Sequence, residues 1–118
     1  MANPHRGEVE VILAGKTHTL RPTFQALAEI ENKTGMGLLD LGRNFAAGRF
    51  GGQDLTAVIW AGLRGHVGVA NAPDYATVGD LVVDEGFTRL AAPVGAFLAA
   101  LLGGVAQPVR EREAADAP

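Results

Sequence analysis

Gly15, Lys16 and Thr17 copy the last three positions of a phosphate-binding loop, in which backbone amides cradle phosphates and the lysine reaches them. The first glycine of such a loop would fall at position 10, which is Glu10. The three residues also lead into a short β-type pattern and not into a helix whose N-terminus could hold an anion. They read as the turn of a hairpin. Gly48 to Gly52 lacks both the dinucleotide-binding spacing and a strand before it, so it reads as a connection between helices. No nucleotide cofactor is expected.

The three histidines, His5, His18 and His66, stand far apart, with no pair at i, i+4 to put two imidazoles on one helical face. No metal site follows from them. Nucleophilic catalysis of the commonest kinds needs a serine or a cysteine, and the sequence holds neither. Asp80, Asp84 and Glu85 could pair as carboxylates for acid–base work, but near a helix start they are accounted for by capping and the helix dipole. No catalytic residue is expected, and the chain reads as a non-enzyme.

What remains is surface that could bind. Leu55, Val58, Ile59, Gly62 and Leu63 match the i, i+3, i+4, i+7, i+8 template of an amphipathic helix. Trp60 falls off that stripe, on the side shared with Ala57, Ala61 and Arg64. Tryptophan and arginine dominate binding hot spots, so Trp60 and Arg64 are the first candidates for a partner contact. Phe50 and Arg49, in the glycine-rich stretch before that helix, are the second pair. The alternative for Trp60 is that a central helix is buried on two sides and the ring is ordinary core.

These residues need elements to position them. Val9, Val11 and Leu13 alternate with polar neighbours, and Thr17 to Leu20 repeats the pattern beyond Gly15, which predicts one β-hairpin. A lone hairpin is marginal in water, so helices must cover its apolar face. Five are predicted: one beginning at Pro22 and ending at Gly35, one over about 38–47, one from Asp54 to near Gly65, one capped by Thr77 with Asp80, and one carrying Phe87 to Gly103 with a kink or restart at Pro93. Residues 67–76 hold Gly68, Asn71, Pro73 and Asp74 and read as a surface loop able to move or bind a partner. The fold class is therefore α+β, mainly α. Residues 1–104 form a single domain, and residues 105–118, charged and proline-bearing, form a disordered tail.

Composition closes off other classes. The 118 residues carry a net charge of −3, the wrong sign for a protein that grips nucleic-acid phosphates non-specifically. A small DNA-binding regulator is the weakest reading, because Arg64 is the one base-reaching cation on the second of two adjacent helices. With no cysteine there is no disulfide framework, which fits a reducing cytoplasm. The uncharged stretch from Leu90 to Val109 has the length of a bilayer span but is broken by Pro93, Gly95, Gly103, Gly104 and Pro108, and reads as a buried core helix rather than a membrane segment.

Several of these motifs together resemble a known family. Arg6-Gly7-Glu8-Val9 opens the hairpin, Ala14-Gly15-Lys16 turns it, and Leu20-Arg21-Pro22-Thr23-Phe24 leads into Ala26-Leu27-Ala28-Glu29-Ile30-Glu31. With Gly35, Ala61-Gly62-Leu63-Arg64-Gly65, Val78-Gly79-Asp80 and an alanine- and leucine-rich last helix, the chain over about 6–104 resembles the small tail proteins of gene transfer agents and siphophages. That resemblance implies a tail assembly chaperone, whose partners would be the tape-measure protein and the tail tube protein, with homo-oligomers possible. The alternative it implies is a tail tube or adaptor component retained in the particle. Tube proteins are mostly β, so the element count expected here sides with the chaperone.

Overall fold

The computed structural model describes residues 2–103, and the expected tail at 105–118 lies outside the described residues. Strands β1 (Val9–Leu13) and β2 (Lys16–Leu20) form an antiparallel hairpin. Five helices follow: α1 (Phe24–Thr34), α2 (Leu38–Ala46), α3 (Gly52–Val67), α4 (Tyr75–Glu85) and α5 (Phe87–Gly103). The α+β, mainly helical reading of the sequence is what the structure shows.

The hairpin turns on Ala14 and Gly15, both with positive φ, at 52° and 76°. Two left-handed residues make the tight turn whose twist matches that of the flanking strands. Leu13 therefore pairs with Lys16, and the register runs one to one to Val9 opposite Leu20. The hairpin is as expected, but its turn is Ala14–Gly15; Lys16 and Thr17, expected in the turn, are the first residues of β2 and pair with Leu13 and Ile12.

Val11, Leu13 and Leu20 point from the hairpin into one core, where they meet Ile30, Leu41, Val58, Ile59, Leu90 and Phe97, all nearly inaccessible. At the centre lies α3, which packs on α1, α4, α5 and β2. Its run from Leu55 to Leu63 is buried at every position except Trp60. The buried face is thus wider than the sequence stripe, because the helix has neighbours on most sides. Two glycines let β2 approach it closely: a Cβ at Gly62 would lie 2.7 Å from Leu20 Cβ, and one at Gly65 would lie 2.4 Å from the Arg21 carbonyl oxygen.

Three local expectations are corrected. Helix α1 begins at Phe24, not Pro22, because the Thr23 hydroxyl accepts from the Ala26 N–H at 3.0 Å and caps it. Helix α4 begins at Tyr75, capped by Asp74, whose carboxylate accepts from the Thr77 N–H at 2.8 Å. Thr77 is the recipient of a cap and not the cap itself. Pro93 does not restart the helix: α5 is one continuous element from Phe87 to Gly103 with the proline inside it.

Candidate functional site

Trp60 is half-buried at the seam of α1, α3 and α4, packed against the edge of the core. Helix α3 brings Arg64 one turn further along the same face, and the guanidinium carbon sits 4.6 Å from the centre of the Trp60 ring. Arg64 is also held from α1. Its Nε donates to both Glu29 carboxylate oxygens at 3.1 Å, and its Nη2 donates to Oε2 at 2.7 Å. Both side chains of this forked pair are 19% exposed. Hydrogen bonding to Glu29 raises the Arg64 pKa above its ordinary value, against the opposing effect of burial.

The ring has further neighbours. Tyr75, the first residue of α4, meets Trp60 edge to face with centroids 5.4 Å apart. Lys33, near the end of α1, places its Nζ 4.5 Å from the Tyr75 ring centre and 5.2 Å from that of Trp60. The Tyr75 hydroxyl donates to Gln53 Oε1 at 2.8 Å, and burial, followed by the nearby Asp54 charge, raises its pKa. Trp60 is thus the middle of a clasp joining three helices, with a cation near it from each of two directions. Aromatic rings attract cations through the negative potential of their faces, most strongly when the pair is partly desolvated.

Phe50 and Arg49 belong to a different place. Phe50 stacks on Phe45 with centroids 4.4 Å apart and planes 7° from parallel. Together they wall an apolar groove of about 270 Å³ between α2 and α5, floored by Gly42, Ala91 and Gly95 and closed by Leu102. Arg49 is exposed beside it and donates to Asn44 Oδ1 at 3.2 Å. The structure therefore brings Trp60 and Arg64 together as expected, and leaves Phe50 and Arg49 as a separate pair.

Sequence reasoning missed Glu29, Lys33, Tyr75 and Phe45. The first two, Glu29 partly buried and Lys33 exposed, stand four residues apart on α1, a spacing that puts them on one helical face. Nothing local ties that face to Trp60. Phe45 was visible only as part of the apolar stripe of α2. The expected loop at 67–76 shortens to 68–74, where the Gly68 carbonyl accepts from the N–H groups of Asn71 and Ala72.

Among the described residues no three histidine, aspartate or glutamate side chains gather as a metal site. No helix among them is long and apolar enough to cross a membrane. The architecture is that of a small helical protein whose distinctive features are apolar and aromatic surfaces. The chain belongs to the family described as phage tail tube protein, GTA-gp10, which it matches over residues 6–104, a span that takes in both strands and all five helices. The resemblance to tail proteins of gene transfer agents is thereby established at the level of the family. No curated protein and no solved structure matches the chain.

Proposed function

We propose that this chain is a non-catalytic structural component of a phage-like tail, a tube or adaptor subunit that stays in the particle and works by docking on other tail proteins. The family match across 6–104 carries this reading. Residues 1–104 act in it as a single domain. The contact surfaces we assign are the Trp60 and Arg64 ridge and, separately, Phe50 with Arg49 at the α2–α5 groove. With Arg64 paired to Glu29, the cation offered there is Lys33, exposed over the Tyr75 and Trp60 rings, which suits an acidic partner group.

One observation favours a second reading, that of a tail assembly chaperone acting in the bacterial cytoplasm on the tape-measure protein. Five helices and one short hairpin offer helix faces and grooves, the surfaces that hold amphipathic helical segments. It ranks second because architecture of this kind is shared by many functions, whereas the family match covers most of the chain.

Mass spectrometry of purified particles separates the two. A tube or adaptor subunit is present in fixed proportion to other tail proteins. A chaperone is missing from finished particles yet co-purifies with tape-measure protein from cells arrested in assembly. Absence from both fractions would refute both readings.

A further inference from the structure

The outer edge of β1 carries unused hydrogen-bonding groups. In a hairpin with a two-residue turn the residues flanking the turn exchange hydrogen bonds, and alternate pairs beyond them do the same. Leu13, Val11 and Val9 therefore bond to β2, while the N–H and C=O of Glu10 and Ile12 point away from it. Among the described residues these groups have no other main-chain partner. Ile12 is 55% exposed. Natural sheet edges are usually blunted by proline, lysine or a bulge. Val9–Leu13 has no proline, lysine or bulge and its register with β2 is unbroken; its protection is the single charge of Glu10 and the flanking α5 and α4, which leave hollows beside it.

Two hollows lie end to end along this edge, each of about 390 Å³. The first is bounded by Glu10, Val11 and Ile12 on one side and by Glu85, Arg89 and Pro93 on the other. The second is bounded by Gly7, Glu8 and Val9 and, across from them, Ala96 and Ala100. No β2 residue lines either, so both open on the side of β1 that faces away from its partner strand. A benzene-sized group fits an apolar cavity of about 150 Å³, so each hollow has room for an aliphatic side chain. Residues two apart on a strand point to the same face, and two such side chains would enter the two hollows in succession.

The charges define the visitor further. Glu10 is exposed at the edge, with the Ala2 N–H at 3.2 Å from its carboxylate. Pro93 has no N–H, so the Arg89 carbonyl four residues earlier lacks its helical donor, and both residues line the first hollow. The Arg89 guanidinium at the same hollow is paired with Glu85 at 3.5 Å, so the Glu10 carboxylate and the spare carbonyl suit a cationic side chain. A second copy of this chain does not fit through its own β1, because the side chains it would have to insert, Val11 and Leu13, are 2% and 1% exposed in its own core.

We propose that the edge of β1 is a docking site for an extended segment of another protein, one with aliphatic side chains at alternate positions and a lysine or arginine beside them. The segment adds a third strand, its main chain bonding to Glu10 and Ile12, its aliphatic side chains filling the hollows over Pro93 and Ala96. This goes beyond the tail role proposed above and does not depend on which tail role is correct.

The probe is the acetylated, amidated peptide Lys-Val-Thr-Val-Thr-Val-Lys, titrated into the full isotope-labelled chain and followed by amide NMR, with the same peptide carrying a central proline as control. The expected result is saturable binding with at least tenfold slower exchange of the Glu10 and Ile12 amides, and none with the control. Ala96→Arg, an exposed position that would fill the second hollow, should weaken binding at least tenfold with unchanged melting temperature. Ile12→Pro, which removes an outward N–H, should do the same. Shifts centred elsewhere, or no binding at millimolar peptide, would overturn the proposal. So would Glu10 and Ile12 amides that are already protected in the free chain and released by the double change Val105→Asp, Val109→Asp, since the chain's own C-terminal segment would then be the occupant. None of these outcomes alters the particle mass spectrometry that tests the tail role.

Discussion

The main-chain N–H of Arg21 donates to the carbonyl of Gly62 at 3.0 Å, so the end of β2 is bonded directly to the flank of a helix. That carbonyl already serves the helix, and the extra bond is reachable because Gly62 and Gly65 present no side chain towards the strand. The sequence Ala61-Gly62-Leu63-Arg64-Gly65 thus fixes where the hairpin sits on α3. The hairpin's own position decides where the open edge of β1 falls.

The first prediction concerns that seat. Gly65→Ala would put a Cβ 2.4 Å from a carbonyl oxygen, and backbone cannot swing aside as a side chain can. It should cost about 2–3 kcal/mol in denaturant unfolding, in the range of overpacking changes. Gly95→Ala is the control, since its Cβ would meet nothing within 4 Å, and it should stabilise α5 by up to about 1 kcal/mol. Equal effects of the two would contradict the close approach.

The Glu29–Arg64 pair is forked and mostly shielded, which distinguishes it from a surface ion pair. A double-mutant cycle with Glu29→Gln and Arg64→Met should give a coupling of about 1 kcal/mol or slightly more. A coupling near zero would mean that solvent screens the pair despite its geometry.

Trp60→Ala should destabilise the chain by about 2 kcal/mol, less than the 3–5 typical of a fully buried aromatic, because the ring packs on the edge of the core and is only partly buried. If the ridge is a contact surface, the same change also weakens binding to tail partners. Phe50→Ala, at the other groove, provides the comparison. A stability loss with binding to tail proteins untouched would assign Trp60 to the clasp alone.

Asp74 caps α4 through the Thr77 N–H, and hydrogen bonding to the Thr77 side chain first, then to that N–H, holds its pKa below the ordinary 3.8. A lowered native pKa means the contribution is complete above the unfolded value and disappears as pH falls through the native one. Asp74→Asn keeps a capping oxygen but does not titrate. The melting-temperature difference between the two chains should therefore change below about pH 4 and be flat above it. A difference that stays constant down to pH 2 would show that the cap carries no linkage.

Much of the fold was legible because it depends on neighbours in sequence. The Leu55, Val58, Ile59, Leu63 stripe fixed α3, and the two-residue turn at Ala14 and Gly15 fixed the hairpin. Thr77 misled because two overlapping residues, Asp74 and Thr77, both satisfy a capping pattern, and the one whose side chain reaches the third N–H beyond it wins. Pro93 misled because a helix packed along its length can tolerate one missing hydrogen bond that an isolated helix would not.

The candidate site was half legible. Trp60 and Arg64 could be paired from helical spacing alone. Their partners could not, since Glu29 and Lys33 come from α1 and Tyr75 from α4, and pairing across 35 residues, as between Arg64 and Glu29, is a property of the packed chain. The furrow along β1 was invisible for the same reason: Val9 to Ile12 shows the strand, but only tertiary packing brings Pro93 and Ala96 beside its edge.

The central place of α3 has a consequence for how the chain comes apart. Every apolar face in the core touches that helix or touches something resting on it, so a fluctuation that frees α3 leaves nothing behind to hold a native shape. Helix α2 is different, leaning mainly on α5 and lightly on α1. Its opening would expose Leu38 and Leu41 yet leave the contacts of α3 with α1, α4, α5 and β2 in place, so it is a sub-global event and not the loss of the whole fold. Each such excursion would part the walls of the groove that Phe45 and Phe50 share with α5, making the peripheral helix, and not the hub, the element that governs access there.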